Sequence, residues 1–250
     1  MLTILGAGGW LPAYGRQTAS AVLRKGDEAV MIDAGTGVAR LIEQPDVLAG
    51  VRRLHILLTH FHLDHIAGLA YLPALGICED TTLWGPGRLL YDTATEGVLS
   101  AVSHEPMHPV PLERQDIRVC DIPAAELELA GMRITTRRQN RHSAPSLGLR
   151  FDDELTWITD TAFDPDSAAF ARRSRLVAHE AWFTRDRVRN ADIHCSAQGA
   201  AEVAARAECE RLLLIHLPPF QESVQALVAE AQAELADVTP ARDGTVISEP

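Results

Sequence analysis

Short apolar runs alternate with glycine, proline and polar turns along the whole chain. LTILG near the start runs into a glycine turn, Gly6–Gly9. SAVLRKGDEAVMIDAG predicts a β-hairpin turning at Gly26-Asp27. LHILLTH is short and apolar enough to predict a buried strand. IAGLAYLPALG, after His65, predicts a helix stopping at Gly76, and Pro86 to Ser103 predicts another. HEPMHPVP, with three prolines, predicts a loop. MRITTRR, LGLRF and ELTWITD predict three strands, and RLVAHEAWF a strand followed by a loop. SAQGAAEVAARAEC predicts an alanine-rich helix with Ser196 as its N-cap. RLLLIHL predicts a strand stopped by Pro218-Pro219, and ESVQALVAEAQAELA the last helix. With no internal repeat, low-complexity tract or flexible linker, residues 1–250 are expected to form a single domain.

The polar residues that break this pattern are concentrated at predicted strand ends. LLTHFHLDHIAG places His60, His62, Asp64 and His65 directly after an apolar run. Imidazole and carboxylate are suitable ligands for zinc and similar divalent ions. Residues two apart on a strand face one side, so a loop leaving it can aim His60 and His62 at one ion. Asp64 and His65 can then aim at a second ion nearby. Chance clustering among ten histidines is the weaker reading. His142, Asp160 and His216 also stand at strand edges. Taken singly, each has a plainer role: His216 as a hydrogen-bonded core histidine, Asp160 as the cap of a turn.

Composition narrows the function. The formal net charge is −11, which disfavours a general nucleic-acid binder, although a local basic pocket remains compatible with it. No apolar run is long enough to span a bilayer, and MLTILGAGGW lacks the features of a signal peptide. Cys78, Cys120, Cys195 and Cys209 form no Cys-x-x-Cys pair, so reduced thiols in a cytoplasmic protein are expected. Cys195 neighbours His194, but a buried small hydrophobe is its plainer role.

The motif set resembles the metallo-β-lactamase superfamily. That resemblance implies an α+β fold, a four-layer αββα sandwich of the metallo-β-lactamase type. It also implies that His60, His62 and His142 hold one metal, Asp64, His65 and His216 a second, and that Asp160 bridges them. LGAGG and VMIDAGTG are similar to the family's first strands, with Asp33 a structural residue beside the site. HSAPSLGLR, HEAWF and HCSAQGAAEVAARAECERLLLIHLPP are similar to the ribonuclease Z-like branch. Leu149 stands there for a tyrosine and Trp182 for a threonine.

Two features depart from ribonuclease Z. FDDELTWIT leaves room only for a tight hairpin between Arg150 and Asp160, where that enzyme inserts a tRNA-gripping arm, and the net charge is wrong for tRNA. The chain more closely resembles the armless cyclic phosphodiesterase members of the branch. The resemblance implies two divalent ions, Zn or Mn with Fe an option, and a metal-bridging hydroxide attacking a small or cyclic phosphodiester or an RNA end. Asp64 is the candidate proton acceptor and His194 the candidate donor to the leaving alkoxide, held by Glu180.

The alternative keeps the fold and changes the bond, to a lactone, thioester or other ester. A non-catalytic binding role ranks third, because all seven donor positions are filled. A small-molecule substrate, no tRNA, no membrane and a homodimer complete the expectations. His104 and His108 are candidates for the substrate entrance, with solvated loop positions the plainer reading. His55, Trp10, Trp84 and Trp157 are assigned to packing. Arg150 has two readings, a phosphate ligand or a salt bridge within the sheet.

Overall fold

The computed structural model describes every residue except 77, 79, 107, 109, 124, 189–192 and 221–222, and the side chain at 113. Its strands are β1 (Leu2–Gly6), β2 (Ser20–Lys25), β3 (Glu28–Ile32), β4 (Arg53–Leu57), β5 (Asp80–Gly85), β6 (Ile117–Asp121), β7 (Glu126–Leu129), β8 (Met132–Gln139), β9 (Ser146–Phe151), β10 (Leu155–Ile158), β11 (Leu176–Glu180), β12 (Arg211–Ile215), β13 (Val238–Pro240) and β14 (Val246–Ile247). Among the described residues they form two seven-stranded sheets, ordered β14-β1-β2-β3-β4-β5-β6 and β13-β12-β11-β10-β9-β8-β7.

Side-chain alternation along the strands builds the layers. In β3, Val30 and Ile32 enter the central core while Ala29 and Met31 face outward. In β12, Leu213 and Ile215 enter the same core while Leu212 and Leu214 face the other way. A period of two buries both faces of these two central strands, as sheets covered on both sides require. The central core joins Ile4, Val30 and Leu57 of one sheet to Phe151, Trp157 and Ile215 of the other. Each such side chain contributes roughly 1.5–3 kcal/mol on full burial.

Helices cover the outer faces. On the first sheet these are α1 (Arg40–Glu43), α2 (Leu63–Ile66), α3 (Leu72–Leu75) and, beyond α4 (Gly87–Tyr91), which instead packs Leu90 against the central core, α5 (Thr95–Ser100); on the second, α6 (Asp166–Phe170), α7 (Ala197–Arg206) and α8 (Val224–Gln232). The outcome is the expected four-layer αββα sandwich. Among the described residues no helix is long and apolar enough to cross a membrane.

Two predicted helices are broken. After His65 the chain runs as α2, a 3-10 stretch (Ala67–Tyr71) and α3, which carries Pro73 in its first turn. Pro86 to Ser103 divides at Asp92, which adopts φ 53°, because the Asp121 carboxylate takes the Thr95 N–H and hydroxyl. The β2–β3 hairpin pairs Lys25 with Glu28, as predicted, and Gly76 ends α3 in the left-handed region.

Strand direction decides where a site can form. Strands β3 to β6 are mutually parallel, as are β10 to β13. Successive antiparallel pairings make β1 parallel to β3, and β8 parallel to β10. The C-terminal ends of β1, β3, β4, β8, β10, β11 and β12 therefore gather at one rim, where loops of layered α/β folds build their sites. Backbone bonds close this rim across the sheets: Leu147 N–H to Thr59 O (3.0 Å), Leu217 N–H to Ala7 O (2.9 Å) and Gly9 N–H to Leu217 O (3.0 Å).

Candidate metal centre

At this rim the structure brings together His60, His62, Asp64 and His65 after β4, His142 after β8, Asp160 after β10 and His216 after β12. Asp33, Asp160 and His216 follow their strands with φ of 55°, 52° and 48°. That region costs a non-glycine residue about 1–3 kcal/mol and persists where surrounding contacts hold it. The turn it makes swings each side chain from the strand edge into the site. Gly9 lies against His216: a Cβ there would stand 2.3 Å from His216 Cε1, so only glycine lets the ring sit in place.

The donors fall into two sets. One ligand atom each from His60, His62, His142 and Asp160 lie within 4.8 Å of one another, and the same holds for Asp64, His65 and His216. Asp160 faces both sets. Its Oδ1 is 3.4 Å from His142 Nε2 and 3.8 Å from His60 Nε2. Its Oδ2 is 3.1 Å from His65 Nε2 and 3.5 Å from His216 Nε2.

The nitrogens converge in a way that internal hydrogen bonding does not satisfy. His62 Nδ1 faces His142 Nε2 at 3.2 Å, and His65 Nε2 faces His216 Nε2 at 3.4 Å. His60 Nε2 is buried with no hydrogen-bond partner. Buried polar atoms left unpaired are costly. Lone pairs aimed at shared points beside carboxylates suit divalent cations, and the fit is with borderline ions that accept nitrogen and oxygen.

Outer contacts fix these rings. His65 Nδ1 donates to Asp33 Oδ2 (2.8 Å), and Asp33 Oδ1 accepts the Thr59 N–H (2.7 Å). His60 Nδ1 is paired with the Thr59 hydroxyl (3.0 Å), and His142 Nδ1 donates to Ile193 O (3.0 Å). Such partners set which nitrogen is left for a metal.

The electrostatics are those of a buried charge cluster. Burial, with cationic neighbours, pushes His60 well below the usual imidazole range. For His65, burial opposes the charge, but Asp160, Asp64 and Asp33 outweigh it and raise it well above that range. For Asp160, burial favours the neutral acid, yet His216, His65 and His60 hold the carboxyl well below its usual range.

A second carboxylate–imidazole pair flanks the donors. Glu180, the last residue of β11, is fully buried and accepts from His194 Nδ1 at 2.7 Å. Its other oxygen accepts the Thr161 N–H. Burial alone would lower His194, but the Glu180 charge and hydrogen bond raise it. Trp182 lies flat on the His194 ring, centroids 4.1 Å apart at 13°.

His62, Asp64, His142, Asp160, His194 and His216 line a cavity of about 650 Å³ whose wall also includes Trp10, Leu63, Trp182, Ile193 and Phe220. Trp10 corrects the sequence reading. It does not pack in the core but stands 60% exposed at the mouth. Its backbone adopts φ 64° and its N–H donates to Asp64 Oδ2 (2.7 Å). Phe220 escaped the sequence reading altogether, and its place after the Pro218-Pro219 stop was the one available signal.

Trp157 is buried in the core, and Trp84 donates to His55, which is itself buried in β4. His104 and His108 do not line the cavity. They bond locally to Glu105 O and Val110 O, and His108 is buried rather than solvated. Arg150 does not line the cavity and makes a salt bridge at 2.6 Å to Asp153, which lies in the exposed β9–β10 turn rather than within the sheet. Cys195 is fully buried, and β9 and β10 join through the expected tight hairpin, with Phe151 paired to Leu155.

Residues 28–217 match the family described as beta-lactamase superfamily domain. The chain belongs to that superfamily. Ribonuclease Z of Porphyromonas gingivalis is 28% identical over 92% of this chain and 92% of its own length. Among solved structures, the metallo-beta-lactamase fold protein YhfI of Bacillus subtilis superposes with a TM-score of 0.80 at 21% identity, covering 98% of this chain and 97% of its own. A diphosphatase of the PhnP family superposes at 0.72 with 18% identity, covering 98% and 95%. The chain is thus similar over nearly its whole length to ribonuclease Z, and shares its fold with these structures. With this membership and this donor set, it is a metal-dependent hydrolase.

Proposed function

We propose that the chain hydrolyses small phosphodiesters, cyclic ones included, with two divalent ions held at the rim. The observation that carries the two-ion reading is the Asp160 carboxylate, which turns one oxygen to each histidine set. His60, His62 and His142 would hold one ion, Asp64, His65 and His216 the other, with Asp160 shared. When bound, the ions supply a water acidified toward neutral pH and positive charge against the phosphoryl oxygens. Zinc and manganese both suit these ligands, and iron is compatible with them.

The chain's own groups supply the proton traffic. Glu180 fixes the His194 ring and favours its protonated form, so His194 can donate to a departing alkoxide at the cavity wall. Trp182 holds the same ring from its face. Asp64 faces the cavity as a carboxylate and is the candidate acceptor from the attacking water. Leaving-group protonation serves an alkoxide, which a phosphodiester and a lactone or alkyl ester both release, so this pair supports either of these over a thioester or other activated ester. Small substrates are supported by the tight β9–β10 hairpin, which leaves no arm for tRNA. The relatives named ribonuclease Z and diphosphatase support phosphorus–oxygen chemistry.

One observation favours the second reading, hydrolysis of a lactone or other carboxylic ester: no Lys or Arg lines the cavity among the described residues. Bis(p-nitrophenyl) phosphate and p-nitrophenyl acetate, assayed side by side with added manganese or zinc, separate the two. Faster turnover of the phosphodiester is expected, and an ester preference with no phosphodiester turnover would replace the first reading by the second.

A further inference from the structure

The mouth of the cavity carries aromatic rings that the proton traffic does not use. Trp10 and Phe220 are 60% and 50% exposed. Their centroids lie 5.9 Å apart at 70°, and Phe220 also stands edge-on to Trp182, 6.4 Å away at 89°. Trp10 belongs to none of the three apolar clusters. A bulky residue with positive φ is a genuine outlier, and here the backbone is held by the bond from Trp10 N–H to Asp64 Oδ2. The chain thus fixes a large apolar ring in water, on a strained backbone, tied to a carboxylate of the donor set. Core packing gives no reason for that arrangement.

The surrounding wall agrees. Leu63 and Ile193 are exposed beside these rings, and no Lys or Arg lines the cavity among the described residues. A hydrophilic phosphodiester of the glycerol kind would gain little from such a rim. A flat π-system gains contact area and stacking with little conformational cost. At about 650 Å³ the cavity falls within the size range of small-molecule sites.

We propose that Trp10 and Phe220 form a subsite for a planar aromatic ring, of nucleobase or aryl size, carried by the substrate beside the bond that is cleaved. The inference rests on this cavity being the active site, as proposed above, but not on the bond being a phosphodiester.

Binding of adenosine and of ribose to the purified chain, by equilibrium dialysis and tryptophan fluorescence, is the test. Adenosine is expected to bind at least about fivefold more tightly than ribose, the low end of what base–aromatic stacking provides. Trp10→Leu and Phe220→Leu should each weaken adenosine about fivefold, and Trp10→Phe should restore most of the loss. Circular dichroism identifies any variant that fails to fold, and the remaining variant then decides. Equal binding of adenosine and ribose overturns the subsite, as does adenosine binding that folded leucine variants leave unchanged. The bond is tested separately by turnover of 2′,3′-cyclic AMP against glycerol 1,2-cyclic phosphate. If neither is cleaved while adenosine behaves as expected, the phosphodiester reading fails and the subsite stands.

Discussion

Asp33–His65 and Glu180–His194 are two versions of one device, a carboxylate bonded to an imidazole Nδ1, at 2.8 Å on the first sheet and 2.7 Å on the second. Both carboxylates are buried; Glu180 raises the titration of His194, whereas His65 is raised by Asp160 and Asp64 ahead of Asp33. They differ in what the second nitrogen meets. His65 has no exposed surface, and its Nε2 faces Asp160 and Asp64 at 3.1 and 3.5 Å. His194 lines the cavity, with its side chain 14% exposed. The first arrangement suits the ring we propose as a ligand, and the second the ring we propose as a proton donor. Local pairing alone does not assign a role; the surroundings of the free nitrogen do.

Breaking the first pair at its ring gives the largest expected effect. His65→Ala removes a donor that touches Asp64, Asp160 and His216 together. Bound metal should fall below two ions per chain, and turnover by more than about 10⁴-fold, beyond what a single proton-transfer group supplies. Metal analysis after gel filtration, with initial rates, checks this. Full metal content in the variant would refute the ligand role. Chelation of the wild-type chain should act in the same direction and lower Tm, because ions that bind only the folded state stabilise it.

Breaking the second pair should spare the metal. His194→Ala is expected to lower kcat by about 10²–10⁴-fold with metal content unchanged. Glu180→Gln should lower it less, since the ring remains but loses the charge that favours its protonated form. Metal loss on His194→Ala would move His194 into the donor set. That outcome has a structural basis to be tested, because His194, Asp160 and His216 also place ligand atoms within 4.8 Å of one another. A smaller effect is expected from Asp33→Asn. Replacing an outer partner of a metal-binding histidine typically costs about 10–100-fold in metal affinity. Titration of the metal-free chain would show the shift, and excess metal should restore turnover.

The same contrast explains what was legible beforehand. Six of the seven candidate donors follow apolar runs, and parallel strands must deliver such ends to one rim, while His142 follows the polar end of β8. Layer order followed for the same reason, since a period of two along each strand dictates which side chains meet. Trp10 and Phe220 were not legible, because their positions come from loop contacts made only in the folded chain: a positive φ, a bond to Asp64, and ring-to-ring contacts. Trp182 was visible as a substitution within HEAWF, but its stacking on His194 depends on a backbone bond from its N–H to Cys195 O, which no spacing rule reveals. Helix boundaries failed where a distant side chain, the Asp121 carboxylate, competed for the backbone at Thr95.

The smallest expected effect concerns how the second pair is held. His194 precedes α7, and Ser196 is the N-cap, its Oγ accepting the Gly199 N–H at 3.1 Å. The same segment is sewn to the one carrying Trp182 by Trp182 N–H to Cys195 O (2.8 Å) and Ala197 N–H to Phe183 O (2.9 Å). Ser196→Ala removes only the cap, so stability should fall by about 1 kcal/mol and Tm by about 2–4 °C for a chain of this size. The two backbone bonds remain and still seat His194 against Glu180, so kcat at 25 °C should stay at the wild-type value. A fall in kcat comparable to that of Glu180→Gln would mean that the cap, rather than the paired backbone, positions the proton donor. The His194 pair would then be conformationally soft where the Asp33–His65 pair, enclosed on every side, is rigid.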